Sequence, residues 1–377
     1  MIQYLSKAHD VTVVSIVRSE VEALEGAGIE AYCNKYIMIK FNNTISWFRV
    51  ILNLLTLKPS SFGYFYSRTM KKVIMNEANN NAYDLIFVHC SSVAPYVEHV
   101  KSIPKILDFG DMDSKKWLDY SKYKPFPVSL GYKLEGVKLE AEEKRLARSF
   151  TYSSCTTKAE LETLKSYNVT KNTFWFPNGV DFEFFHPSNN GYIKNSICFI
   201  GRMDYYPNQE CMIDFCKNIF PKVKEKVANA KLTIVGANPS ISILALSEFP
   251  GVEVTGSVDD VRSYIHSSAV NVAPLNIARG TQNKILESMS MGVPVIASRL
   301  AAKGIDAVPN VHLIVADTPD EYVGAILNLF NNPAERERLS ISGRARMLSH
   351  HDWGHSMEQL DVLIENCISV YTTQKHK

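Results

Sequence analysis

Gly280-Thr-Gln-Asn-Lys-Ile-Leu-Glu-Ser-Met-Ser-Met-Gly-Val-Pro-Val-Ile-Ala-Ser298 gives the first firm reading of this chain. Residues 282–291 carry a helical period: Ile285, Leu286 and Met289 share one face, while Lys284, Glu287 and Met291 recur on another. Thr281 is the expected N-cap, and Gly292 followed by Pro294 closes the helix. The apolar run Val293 to Ala297 then reads as a buried strand. Such a helix presents backbone N–H groups and a lysine at its start, with a carboxylate one turn on. That suits a ligand with an anionic part and a hydroxylated part: phosphates at the helix N-terminus, ribose hydroxyls on Glu287. A capped surface helix with a charged outer face accounts for the same residues, so the rest of the chain must decide.

The length of 377 residues predicts two domains, each able to bury its own core. Hydrophobic residues at 46% and charged residues at 21% are ordinary for a globular protein. A net charge of +2 argues against nucleic acid as the main partner. The 7 cysteines are scattered without a C-x-x-C, which supports neither a disulfide framework nor a zinc site and fits a reducing cytoplasm. Residues 1–10 lack the apolar core of a signal peptide. The longest apolar run, Ile45 to Leu57, contains Arg49 and Asn53 and is too short to span a bilayer.

Met1–Ala8 reads as the end of an amphipathic helix feeding a strand, Val11 to Val17. A helix in that place follows a first strand and its loop, so the chain is expected to begin inside an α/β unit. The loop's absence is expected to impair transfer chemistry more than ligand binding. Strands follow at Leu85–His89, Lys105–Phe109 and Asn172–Phe176, with helices around 45–56, 66–79, 129–148 and 157–166. This alternation predicts a parallel sheet between helices, with ligands at the C-terminal strand ends. There stand His89-Cys-Ser-Ser92 and Asp108-Phe-Gly-Asp-Met-Asp113. His89, Ser91, Asp108, Asp111 and Asp113 are therefore candidates for hydrogen bonding to sugar hydroxyls or an acceptor, with helix capping and solvation as the alternative. No matching His/Asp cluster elsewhere points to a metal.

Two regions mix aromatic and basic residues: Trp47-Phe-Arg49 through Lys71-Lys72, and residues 115–148 with Trp117, Tyr120, Tyr123 and Phe126. They fit peripheral contact with an anionic membrane or a lipid-linked acceptor, and equally a solvated helix face over ordinary core aromatics.

Pro177 to Pro187 and the polar Ser188–Gly191 read as an interdomain linker. A second α/β series follows: strands Ser196–Ile200, Leu232–Val235, Val252–Thr255 and Val270–Pro274, and a helix from Gln209 to Val227. Most of these strands end in a Gly, Asn or Asp turn, as in a nucleotide-type Rossmann domain. In the last helix, Trp353 to about Val370, Trp353, Met357, Leu360, Ile364 and Cys367 form a narrow stripe suited to packing at a domain junction.

Taken together, Pro177-Asn-Gly-Val-Asp181, Phe199-Ile-Gly-Arg202, Val235-Gly236, Val254-Thr-Gly-Ser-Val258 and Gly280 to Ser298 resemble retaining glycosyltransferases of family 4. Each piece alone is weak, but the set in this order and spacing is specific, and the likeness covers nearly the whole chain. Met203 to Asn208, Gly280 to Glu287 and Asp111 to Trp117 resemble the members associated with bacterial exopolysaccharide systems. The resemblance implies a GT-B fold, two Rossmann-like domains facing a central cleft. Residues 1–182 would be the acceptor side, 192–350 the nucleotide-sugar side, and 351–377 a helix at the junction. It implies transfer of a sugar from a nucleotide diphosphate sugar to a saccharide or lipid-linked acceptor with retention, in the cytoplasm or at the inner face of the plasma membrane, without a metal or other cofactor.

By position, Arg202 and Lys284 would neutralise the donor diphosphate, and Glu287, the second Glu of the family's E-x7-E motif, would bind ribose. Gly201, Gly236, Gly280, Thr281, Gln282 and Asn283 would line the donor site, and Asp111 would join Arg202 and Lys284 in catalysis. The first Glu of that motif falls on Arg279. The family's lysine falls near Asn208, with Lys284 the candidate to replace its charge, and its N-domain histidine falls on Gly110. The family's Gly-rich first loop has no counterpart in this sequence. A GT-B sugar-nucleotide epimerase, using Asp108, Asp111 and Asp113 as acid and base, and a non-catalytic nucleotide-sugar-binding protein are the alternative readings. No G-x-G-x-x-G follows any expected strand, which disfavours a dehydrogenase.

Overall fold

Apolar runs punctuated by Gly and Asn turns fold into parallel strands because both faces of such strands can be covered by the helices between them. The computed structural model describes residues 1–41, 43–188 and 191–375; Asn189 and Asn190, inside the stretch read as a linker, lie outside these. The strands are β1 Thr12–Val17, β2 Lys35–Lys40, β3 Ile86–His89, β4 Lys105–Asp108, β5 Tyr152–Cys155 and β6 Thr173–Trp175. They continue with β7 Ile193–Ile200, β8 Lys231–Val235, β9 Val252–Gly256, β10 Ser268–Ala273, β11 Val295–Ala297 and β12 Ile314–Val315. The chain forms two compact units, Met1–Phe176 with Met357–Lys377, and Pro177–Ser356.

In the first unit β1 and β2 pair in parallel as a separate ribbon, and β3-β4-β5-β6 form a parallel sheet. Sequence periodicity misses β5, because Tyr-Ser-Ser-Cys is neither alternating nor apolar. Its buried Ser154 is accommodated by donating Oγ to Asp108 at 3.0 Å. The long helix Trp353–Lys375 lays Met357, Leu360, Leu363, Ile364 and Cys367 against Ile106 and Phe176, closing one face of this unit's core. Trp353 is not part of that stripe; it packs against Gly179 in the second unit.

In the second unit the sheet order is β12-β11-β10-β7-β8-β9, all parallel. The chain runs outward from β7 to β9, then returns to β10 on the other side of β7. The order therefore reverses between β7 and β10, and at such a switch point the flanking loops diverge and leave a crevice for a ligand. β10 is buried at every residue, as a central strand of a two-sided parallel sheet must be. The expected helix after β7 runs as Tyr206–Asp214, a π-helical turn Phe215–Ile219, and Phe220–Lys226. Pro221 has no N–H to donate and its ring crowds the carbonyl one turn back, so the turn before it widens.

Candidate functional site

Three glycine loops meet at the C-terminal edge of the second unit's sheet. Gly201 follows β7 and Gly236 follows β8, and a Cβ on Gly236 would lie 1.7 Å from the Gly201 carbonyl oxygen. Only a bare Cα at Gly236 allows this approach. Gly280 turns the chain after β10 with φ +62°, and a Cβ on Gly304 would lie 2.1 Å from its carbonyl oxygen. The result is a backbone-lined floor on either side of the switch point.

The helix after Gly280 is Asn283–Ser290, shorter than its sequence period suggests. Thr281 does not cap it, contrary to expectation. Gln282 occupies the N-cap position, and no side chain caps the helix there. Gln282 Nε2 instead donates to the Arg279 carbonyl at 3.0 Å. The left-handed turn at Gly280 carries Thr281 away from the helix end, and its buried Oγ1 has no hydrogen-bond partner among the described residues. An uncapped helix start beside an orphan hydroxyl is a site with polar groups left for a ligand.

Lys284 lies in the first turn of this helix and reaches back across the switch point. Its Nζ donates to Asn208 Oδ1 at 2.7 Å and stands 4.2 Å from the centre of the Phe199 ring. Asn208 in turn donates Nδ2 to the Arg202 carbonyl at 2.8 Å, so one buried amide ties the lysine to the loop after β7. A Cβ on Gly201 would come within 3.0 Å of Lys284 Nζ. The lysine head group thus stands at Asn208, where the resemblance puts the family's own lysine. Burial lowers the Lys284 ammonium to about 8, with the Cys211 sulfur and the Glu287 carboxylate acting the other way. An incoming anion would raise it again.

Glu287 stands one turn further along. Burial raises its carboxyl above the ordinary range, and Lys284 offsets part of that. Its carboxylate makes no hydrogen bond among the described residues, which leaves it open to hydroxyl donors. Arg202 is exposed and folds onto Asp204, with Nη2 to Oδ2 at 2.6 Å. That pair is bathed in solvent and readily exchanged for a ligand phosphate.

The first-unit candidates gather at the ends of β3 and β4. His89 Nδ1 lies 2.8 Å from Asp108 Oδ2, and Asp108 also accepts from Ser154 Oγ at 3.0 Å and Gly110 N at 3.3 Å. The Asp108 bond, and after it the Cys90 sulfur, raise the His89 imidazole to about 10, so it is the charged partner of an ion pair. Cys90 holds φ +77°, a left-handed conformation that a side chain tolerates poorly. The buried Asp108 is thus committed to protein groups, whereas the His89 ring is 59% exposed. Asp113 pairs with Lys116 at 2.5 Å. Asp111 keeps a freer carboxyl: Thr156 Oγ1 is 3.5 Å away, and burial raises it above the usual range. Ser91 Oγ is buried and has no hydrogen-bond partner among the described residues. Asn208, Phe199, Asp204 and Ser154 are the residues sequence reasoning missed as participants. Only Asn208 carried a signal, as the position where the family's lysine was expected.

Among the described residues no group of three or more His, Cys, Asp or Glu could hold a metal ion, and no helix is long and apolar enough to cross a membrane.

Residues 194–332 match the sequence family described as glycosyl transferases group 1. HepE of Anabaena, solved in complex with UDP and glucose, is similar over 97% of this chain and 94% of its own, with a TM-score of 0.69 at 13% identity. The fold is GT-B. Sucrose-phosphate synthase from Thermosynechococcus elongatus shares the GT-B architecture over 81% of each chain, with a TM-score of 0.62 at 16% identity. So does TarM of S. aureus, over 79% of this chain, with a TM-score of 0.63 at 13% identity; this chain spans 59% of TarM's length. No protein of curated function matches the sequence.

Proposed function

We propose that this GT-B protein transfers a sugar from a nucleotide diphosphate sugar to a saccharide or lipid-linked acceptor, with retention at the anomeric carbon. The observation that carries the reading is the half-buried Lys284 ammonium held by Asn208 above Gly201, beside an uncapped helix start and the Thr281 hydroxyl left unpaired among the described residues. A cation kept in a low-dielectric setting without a carboxylate at hydrogen-bond distance is poised for an anion.

In this reading Lys284, Arg202 released from Asp204, and the N–H groups of Thr281 to Asn283 hold the diphosphate, and Glu287 accepts from the ribose hydroxyls. The bond from the anomeric carbon to the diphosphate oxygen breaks, and the bond to the acceptor oxygen forms on the same face. The acceptor proton passes to the leaving diphosphate, so no protein nucleophile is required. The fixed cations stabilise charge as it grows on the leaving group. Asp111, with its raised pKa, is the first-unit group assigned to orient the sugar or acceptor, with the exposed His89 and the Ser91 hydroxyl as secondary candidates. An epimerase needs two free carboxyls as acid and base; Asp108 and Asp113 are both engaged, which favours the transferase.

The proposed setting is bacterial cell-surface or exopolysaccharide synthesis in the cytoplasm, with peripheral contact to the inner face of an anionic plasma membrane. Mass spectrometry of products from a panel of nucleotide sugars, with and without saccharide acceptors, tests the reaction. Transfer with acceptor and at most hydrolysis without it is expected. An altered sugar still attached to its nucleotide would establish the epimerase, and binding of donors with no turnover on any acceptor would leave a binding protein.

A further inference from the structure

The helix Asn43–Leu54 is inside out. Its protein-facing side carries Ser46, Arg49, Val50 and Asn53, and three of these four are polar. Arg49 donates to the Tyr66 carbonyl, and Asn53 donates to the Pro59 carbonyl at 3.0 Å. Its outer side exposes Ile45, Trp47, Phe48, Ile51, Leu52 and Leu54. A helix resting on a water-facing domain surface normally turns the apolar stripe inward. The apolar surface continues past the helix end into Leu55 and Leu57, which are 89% and 91% exposed. It is joined there by a second stripe: Lys138 donates to the Asn53 and Leu54 carbonyls, and Leu130, Leu134 and Val137 of the helix Val128–Ser149 are exposed alongside. So long a run of exposed aliphatic and aromatic residues marks an interaction surface rather than scattered surface hydrophobes.

Beside this ridge lies a cavity of about 580 Å³, lined among others by Arg49, Leu52, Lys58, Lys71, Tyr96 and Arg145. Arg145 is satisfied by Glu98 and Glu142, which also line the cavity. Lys58 and Lys71 have no partner carboxylate among the described residues. The cavity is therefore cationic on balance. Its lining also includes Ser92, which follows β3 closely, so it stands at the strand-end side of the sheet where His89 and Asp108 lie.

An apolar ridge next to a cationic pocket has the polarity of a lipid monolayer read from tail to head. We propose that this face of the first unit docks on an anionic membrane, with the ridge from Ile45 to Leu57 entering the acyl boundary and the pocket taking a phosphate-bearing lipid headgroup. Lys58 and Lys71 supply the charge that the headgroup lacks, and Trp47 sits where amphipathic rings collect at the interface. A second copy of this chain would cover the apolar ridge equally well, but it would leave the two unpaired lysines facing each other or solvent. The inference deepens the proposed membrane contact by naming the surface and the lipid chemistry, and it rests on that reading only for the lipid's place in the reaction.

The test is co-sedimentation of the full, nucleotide-free chain with vesicles of phosphatidylcholine alone or mixed with phosphatidylglycerol. Strong binding to the mixed vesicles and weak binding to phosphatidylcholine are expected. Replacing Leu55 and Leu57 together by Ser should lower partitioning by at least about a hundredfold. Lys58→Gln with Lys71→Gln should lower it by about 30-fold and abolish the preference for phosphatidylglycerol. Melting curves of the variants in the absence of vesicles, expected to match wild type at these exposed positions, separate docking from folding. No binding to mixed vesicles, or equal binding to both kinds, would overturn the proposal. So would a dimer by light scattering that the Leu55/Leu57 variant dissociates and that binds no vesicles. Donor titration without vesicles is a separate readout, so failure of the docking surface is distinguishable from failure of the donor site.

Discussion

Replacing Lys284 by Met should make the protein more stable and less able to bind its donor. The folded ammonium sits at about 8 against an ordinary 10.5, with burial as the leading cause. At about 1.4 kcal/mol per unit, holding the lysine charged in the folded state costs about 3 kcal/mol at pH 7. Met fills similar volume without a charge, but it leaves Asn208 Oδ1 without its donor, which costs about 1 kcal/mol. The net gain is about 2 kcal/mol, or about 4–8 °C in the melting temperature of a unit this size. The sign follows from proton counting. Between pH 8 and 10.5 the unfolded lysine holds more proton than the folded one, so wild-type stability rises with pH through that window. By pH 9 about 1.4 kcal/mol of the penalty has gone, and the advantage of Lys284→Met should shrink to match. Scanning fluorimetry at pH 7 and 9 measures this, and calorimetric titration with UDP, GDP, ADP and dTDP identifies the nucleotide and its affinity. The affinity for the nucleotide that binds should fall about tenfold to a thousandfold in the variant. A variant less stable than wild type at pH 7 with unchanged nucleotide affinity would refute both the buried-charge argument and the phosphate role.

Three further outcomes follow from the same site. Arg202→Ala should leave the melting temperature unchanged, since its pair with Asp204 is exposed, while weakening donor binding or turnover about tenfold to a thousandfold; equal affinity and rate would remove its phosphate role. Glu287→Gln should raise the donor Kd without unfolding the protein, and a 2′,3′-dideoxy donor should bind wild type and variant alike, whereas persisting discrimination in the variant would assign the ribose to another group. Gly236→Ala places a Cβ 1.7 Å from the Gly201 carbonyl oxygen and should force the loops after β7 and β8 apart, lowering both stability and donor affinity; a variant that binds donor normally would show that these loops do not shape the site.

How far the sequence reaches is visible at particular elements. Strands β7 to β11 of the second unit are legible because they are short apolar runs, most of them closed by a Gly, Asn or Asp turn, and both signals are local. β5 is not legible, since Tyr-Ser-Ser-Cys carries no apolar pattern and its Ser154 is satisfied by Asp108, 46 residues away. The helix over Asn43–Leu54 is legible as a helix, yet the period says only that one face is apolar and not which face turns inward. Thr281 reads as a cap from composition alone; the left-handed turn at Gly280 decides otherwise.

Residue order by itself determined the α/β alternation, the glycine turns at the strand ends and the helix that carries Lys284 and Glu287, because all of these depend on neighbours within a turn or two of the chain. Only the tertiary structure decided that β7 and β10 lie side by side, that Lys284 spans 76 residues to reach Asn208, and that Asp108 is consumed by His89 and Ser154. Those are contacts between segments far apart in sequence. Their energies come from burial and from the partner supplied by another strand, quantities that no window of sequence contains.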